Sequence, residues 1–272
     1  MTGTIAPAPQ RTRLLGSIYA GNAASVLDRG LRATRSSNWV VMLSGVFEPI
    51  FYLLSLGIGL GQFVGTVDVG GGQVSYAAYI APALLAVSAM NGAVYDSTWN
   101  VFFKMKYGRV YEGMLATSLG PLDVAIGEIL LALLRGALYA IAFMLVMQAL
   151  GLNLSWTALL ALPAIALIAF GFASLGMGIT SYLKTFQQMD WVNFVLLPMF
   201  LFSATFYPVT VYPVWLQWVV EALPLWHGVE LVRGLTTGVL SWATLGHVAY
   251  YLVMVAIGLV FTTRRLRALF LS

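Results

Sequence analysis

The chain has 272 residues, 60% of them hydrophobic and 9% charged, with a net charge of +4 and no cysteine. Soluble domains average ~45–50% apolar and ~25% charged residues, so this composition describes a polytopic membrane protein. The positive charge lies beside apolar runs and reads as a signal of orientation in the bilayer, not of nucleic-acid binding. Without cysteine, disulfides and thiolate metal sites are excluded.

Residues 1–10 are rich in Pro, Ala and Thr, and MTGTIAPAPQRTR lacks the apolar core and cleavage site of a signal peptide. From about Leu14 to Ser36 the pattern is helical but not spanning. Leu14, Ile18, Leu27 and Leu31 supply apolar positions, and Arg29, Arg32 and Arg35 recur every third residue. Such a basic amphipathic helix lies along a membrane surface. The chain divides accordingly into a cytoplasmic N-terminus with an amphipathic interfacial helix, 1–37, and a transmembrane domain, 38–272.

A helix needs ~20 apolar residues to cross ~30 Å of hydrocarbon. That length predicts six spans, at about Trp39–Leu60, Tyr76–Phe102, Leu122–Leu150, Trp156–Leu183, Trp191–Tyr207 and Leu245–Thr262. The predicted fold class is an all-α polytopic membrane protein with six transmembrane helices. An amphipathic interfacial helix precedes them, and a re-entrant helical hairpin lies between spans five and six. Of the 14 Lys and Arg residues, all but Arg135 and Arg233 fall on one side of this topology. By the positive-inside rule both termini are cytoplasmic. The opposite side holds Gln62–Ser75, with Asp68 and three consecutive glycines, the short turn Gly151–Ser155, and the stretch after span five.

That last stretch, Tyr207–Thr237, is apolar but too broken to span. Pro208, Pro213 and Pro224 interrupt it, and Glu221, His227, Glu230 and Arg233 add polar groups. Two short helices fit, at roughly Val214–Ala222 and Leu225–Leu235. Broken helices at membrane depth are tolerated against protein or a water-filled cavity. The stretch reads as an interfacial loop with tryptophans at the headgroups, as a gate at the outer mouth of an export path, or as both.

Charged groups inside spans are costly and mark function. Glu48 lies in span one before Pro49, and Arg135 lies in span three seven residues from Glu128. Glu48 and Arg135 are candidates for a substrate path, or for structural pairing with another helix or at a subunit interface. Asp96 and Glu128 lie near the cytoplasmic boundary, where solvation is expected. Gly57 and Gly61, and the span-four residues Gly171, Ser174, Gly176 and Gly178, allow close helix approach; in span four intramolecular packing is expected. His227 and His247 are twenty residues apart and neither neighbours another ligand at metal spacing. None of the three lysines follows a glycine, so no phosphate-cradling Gly-Lys-Ser/Thr loop exists. ATP-driven transport would therefore need another chain for the ATPase.

After span two, KMKYGRVYEGMLATSLGPLDVAIGE contains a helix-compatible piece, Tyr111–Thr117, bounded by Gly108 and Gly120-Pro121. It reads either as a solvated connection or as a short helix offered to a motor protein. Within it, VYEGMLATSLGPLDVAIGEIL resembles the segment after the second span of ABC-2 type exporter permeases. The run LFSATFYPVTVYPVWLQWVVEALPLWHGVELVRGLTTG is similar to the signature of that family's branch of nodulation lipo-oligosaccharide and daunorubicin-resistance-type exporters. The resemblance covers nearly the whole chain.

The resemblance implies a six-span exporter subunit in the bacterial inner membrane, paired with a second copy or paralogue. Each subunit would dock a separate ATP-binding-cassette ATPase. This chain itself would bind no cofactor; ATP and Mg would sit on the partner. Contact with the ATPase would fall to the N-terminal helix and to Tyr107, Arg109, Tyr111, Glu112, Leu115 and Thr117. Substrates would be amphipathic: lipid-linked saccharides, lipids or hydrophobic drugs. ATP binding would push on the helix near Tyr111 and open a path lined by spans one, two and five. The path residues would be Glu48 and Arg135, with Phe206, Tyr207, Tyr212, Trp215, Trp218 and Trp226 as an aromatic collar at the outer mouth. The alternative from another class is an ion-coupled secondary transporter using Glu48. The lopsided helix interruptions and the lack of matching halves count against it. A membrane enzyme on lipid-linked sugars or a channel is less well supported, since the acidic residues are scattered and no filter-like loop is present.

Overall fold

The computed structural model describes residues 19–35 and 47–270. In chain order the elements are α1 (Ala23–Arg35), α2 (Phe47–Val64), the strands β1 (Thr66–Val69) and β2 (Gly72–Ser75), and α3 (Tyr76–Lys106). They continue with α4 (Val110–Leu115), α5 (Pro121–Ala149), α6 (Trp156–Thr180), α7 (Asp190–Phe202), α8 (Val214–Glu221), α9 (Pro224–Thr237) and α10 (Trp242–Phe270). Among the described residues, α2, α3, α5, α6 and α10 are long and apolar enough to cross a membrane.

The bundle is built around α3. Over its most apolar stretch 89% of the residues are buried, against 17% for α2 and 22% for α10. A helix that is apolar on all sides belongs inside a bundle, and α3 carries no charge between Tyr76 and Tyr95. The Ser75 Oγ caps it by accepting from the Ala78 N–H at 3.3 Å. Helices α5 and α6 pack against α3 and against each other, and α10 packs along α6. Small residues set these approaches. A Cβ added at Gly176 would lie 2.2 Å from the Ser97 Oγ of α3, and one at Gly258 would lie 2.2 Å from the Ser174 Oγ of α6. The glycines of span four thus serve packing within the chain, as expected.

At the N-terminal end, Ala23, Val26 and Gly30 of α1 face α5, while Asp28, Arg29 and Arg32 are exposed. Gly127 of α5 lies under Val26. One carboxylate joins the two helices: Asp123 accepts from the backbone N–H of Ala20 (2.7 Å), Asn22 (2.9 Å) and Gly120 (2.9 Å). Of the predicted helices, Leu14–Ile18, Ser36 and Trp39–Val46 lie outside the described residues.

Three features differ from the sequence expectation. The loop after α2 is a β-hairpin, with Val69 paired to Gly72 across Gly70 and Gly71. Both turn glycines have positive φ, 62° and 84°, which is what a two-residue hairpin turn demands. Second, the fifth predicted span is short. Helix α7 has 13 residues, about 20 Å at ~1.5 Å per residue, and it stops at Ser203 instead of Tyr207. The Ser203 and Thr205 hydroxyls bond back to the carbonyls of Met199 (2.5 Å) and Phe200 (2.9 Å), and Ala204 between them takes φ 54°. Third, the helix predicted near Tyr111–Thr117 runs over Val110–Leu115, following Arg109 at φ 46°.

The broken stretch forms the two helices expected. Helix α8 is largely exposed, whereas α9 packs against α3, α6 and α10. The end of α9 is tied to the α5–α6 turn: the Leu154 and Ser155 N–H groups both donate to the Thr236 carbonyl at 3.1 Å. The Thr157 hydroxyl donates to the Leu235 carbonyl at 2.6 Å.

Candidate functional site

A cavity of about 650 Å³ lies between α2, α3, α5 and α7. Its polar wall includes Glu48, Ser88, Asn91, Arg135 and Asn193; its apolar wall includes Leu84, Val87, Leu196 and Leu197. The two intramembrane charges singled out in the sequence, from α2 and α5, thus line one space. Pro49 follows Glu48 in that wall. Helix α7 contributes a face although only Met199 of it is buried.

Sequence reasoning missed how Arg135 is held. Its guanidinium meets the Asp96 carboxylate at 2.7 Å. Asp96 is not solvated as expected: it is buried, 4% exposed, and sits in a π-helical turn, Asp96–Asn100. Such turns frequently mark functional sites. About two turns further on, Lys104 donates to Glu128 at 2.6 Å, and Glu128 is also buried. Both pairs join α3 to α5. A charge pair taken out of water is retained only with close geometry, and the partner's helix is what the linear sequence conceals.

The cytoplasmic-loop candidates separate by exposure. Tyr107, Arg109, Glu112 and Thr117 are exposed and Leu115 is half-buried. Tyr111 is fully buried, so its side chain supports α4 from beneath and offers no surface. Burial pushes its phenol well above the ordinary tyrosine range, and nearby Glu128 adds to this.

The six proposed collar aromatics do not form one ring. Phe206 packs on Phe200 (5.2 Å between centroids) and Tyr207 on Tyr212 (5.3 Å). Trp215 and Trp218 project from α8, 69% and 72% exposed. Trp226 belongs elsewhere, against His227 and His247. The two histidines, distant in sequence, bring their Nδ1 atoms to 2.8 Å, one donating and the other accepting. No group of three metal-ligating side chains occurs among the described residues.

Arg233, read in the sequence as one polar residue of the broken stretch, is the anchor of α9. It is 4% exposed, pairs with Glu230, donates to the Ala204 carbonyl at 2.8 Å, and lies 4.1 Å over the Tyr79 ring. The Tyr79 hydroxyl donates to the same carbonyl at 3.3 Å. The strained turn at the end of α7 is thus held from both α3 and α9.

Fold and cavity together define a polytopic helical membrane protein with a charged, half-apolar chamber between its helices. Residues 23–237 match the ABC-2 type transporter family. The chain is 35% identical over 214 residues to Nodulation protein J of Rhizobium leguminosarum bv. viciae, spanning 78% of this chain and 81% of that protein. It is 32% identical over 219 residues to Nodulation protein J of Rhizobium meliloti (strain 1021), spanning 80% and 82%. The chain belongs to the ABC-2 type transporter family.

Proposed function

We propose that this chain is the permease subunit of an ATP-binding-cassette exporter that moves an amphipathic substrate from the bacterial inner membrane. The observation that carries the reading is the cavity, in which Glu48 and Arg135 face an apolar wall of α3 and α7. A chamber polar on one side and greasy on the other suits a molecule with both characters. In this reading α7, with the turn at Phe186–Met189 before it and Ser203–Tyr207 after it, is the fifth of six crossings. Both termini are cytoplasmic, and α1 lies along the inner surface with Arg29 and Arg32 toward the headgroups. Helices α8 and α9 dip back from outside.

The family likeness supports a separate ATPase subunit that holds ATP and Mg, and a second permease copy or paralogue. Force would enter through α4 and its flanks, at Tyr107, Arg109, Glu112, Leu115 and Thr117, and would shift α3 against α5 across the Asp96–Arg135 and Lys104–Glu128 pairs. Substrate would leave past Phe206, Tyr207, Tyr212, Trp215 and Trp218.

The test uses the permease expressed with its ATPase in inverted membrane vesicles. Uptake of a fluorescent amphiphile should require ATP. Asn193→Trp, which fills the cavity wall, should abolish uptake while the complex still co-purifies. Glu112→Arg should instead detach or uncouple the ATPase. Nucleotide-free uptake, or full activity with Asn193→Trp, overturns the reading.

A further inference from the structure

The charges around the cavity are not balanced. Arg135 is committed to Asp96 at 2.7 Å. The next cation along α3, Lys104, is committed to Glu128 at 2.6 Å. Glu48 lines the same space with no hydrogen-bond or ion-pair partner among the described residues. The second carboxylate oxygen of Asp96 and the Ser88 hydroxyl are both buried without a partner. Asn91 and Asn193 add only neutral amides to the same wall, so among the described residues the uncommitted formal charge is negative.

Aromatic side chains share the cavity with this charge. Tyr52, Tyr95, Trp99, Tyr139 and Phe200 all line the cavity. Tyr95 stacks near Trp99 at 6.3 Å, and Tyr52 meets Phe200 edge-on at 5.8 Å. Ring faces attract cations, the more so when water is excluded. The fold uses this contact twice elsewhere, with Arg233 over Tyr79 and Arg265 over Tyr182, each at 4.1 Å. An anionic head group would meet Glu48, and among the described residues that line the cavity the one cation, Arg135, is already paired.

We propose that the cavity selects an amphiphile with a positively charged head, an amine or quaternary ammonium, and rejects anionic heads. The head sits between Glu48 and the rings of Tyr52 and Trp99, and the tail lies along Leu196 and Leu197. This rests on the cavity being the substrate path, as proposed above.

The full chain in nanodiscs of uncharged lipid tests it, with tritiated decyltrimethylammonium, decyl maltoside and decyl sulfate as probes. Binding is read below micellar concentrations after subtraction of empty nanodiscs. Decyltrimethylammonium should bind about tenfold more tightly than decyl sulfate, the scale of one added charge contact and one ring contact. Glu48→Gln should bring that ratio toward one, and Glu48→Asp should keep it. Tyr52→Leu, which leaves the charge in place, should reduce affinity for the ammonium probe alone. Equal or tighter binding of the sulfate, or an unchanged ratio in Glu48→Gln, overturns the charge preference while leaving the path intact. If no probe binds saturably, or if binding ignores Asn193→Trp, the cavity is not a substrate path and both readings fall.

Discussion

Helices α8 and α9 are neighbours in sequence, joined through Ala222 and Leu223, yet they occupy opposite environments. In α8 only Val220 is buried, and Trp215, Trp218 and Val219 face outward. In α9 the buried set includes Leu225, Val229, Leu231, Val232 and the charged Arg233. The difference lies in what each can satisfy. Arg233 finds Glu230, a carbonyl and a ring within its reach, so a cation can be kept buried. Helix α8 has no such anchor and offers amphipathic rings, which tolerate both hydrocarbon and wet surroundings. A fixed helix beside an unanchored one suits an element that must hold its place while its neighbour meets lipid or cargo.

The largest effect is expected at the equivalent anchor inside the bundle. Arg135→Leu leaves Asp96 buried with no cation beside it. Removing one partner of a buried pair costs about 3–5 kcal/mol, so the thermal midpoint in detergent should fall sharply, and Asp96→Asn in the same chain should restore much of it. Failure of that rescue would mean that the pair does not carry the α3–α5 contact. Next is Arg233→Met. It keeps the apolar stem but strips the Ala204 carbonyl of a charged donor, a loss of about 1.5–3 kcal/mol. Limited proteolysis should then open the segment between Ser203 and Pro213 while α8 is no more exposed than before. Protection equal to the unaltered chain would remove Arg233 as the anchor.

The sequence made some of this legible and hid the rest for identifiable reasons. Tyr76–Tyr95 announces a buried helix because it lacks any charge. The three prolines of Tyr207–Thr237 announce two short helices with bounds within a residue or two of those found. Glu48 and Arg135 stood out because a charge in an apolar run is costly, and the cavity brings them to one space. Asp96 and Glu128 lie far from the span centre and are buried all the same, because each is paired with a cation from another helix, which the linear sequence does not reveal. Asp123 carried a local signal, an acidic residue three positions after Gly120 at a helix start, but its bonds to Ala20 and Asn22 cross about a hundred residues. The early end of α7 depends on two hydroxyls turning back on their own helix, which no apolar count detects. Gly70-Gly71 was a hairpin signal overlooked within an otherwise helical chain.

The smaller effects separate α8 from α9 by what does not change. His227, near the start of α9, is pushed down to about 4 by burial and by His247 facing it. Glu230 on its own helix and Tyr250 and Tyr251 of α10 complete the ionisable surroundings. A histidine whose folded pKa is depressed gives stability that is complete above its unfolded value near 6.5 and is lost as pH falls toward about 4. The thermal midpoint should therefore decline across that window, and His227→Gln should flatten the decline. An identical pH profile in the variant would exclude the pair as its source. In α8, by contrast, Trp215→Ala with Trp218→Ala should move the midpoint by less than about 0.5 kcal/mol in free-energy terms, since both rings are exposed. The ATPase should co-purify as before, yet ATP-driven uptake should drop. Unchanged uptake would strip α8 of any part in release and leave α9 alone as the functional half of the segment. A large loss of stability would show instead that the tryptophans hold the fold, and the contrast between the two helices would be one of degree.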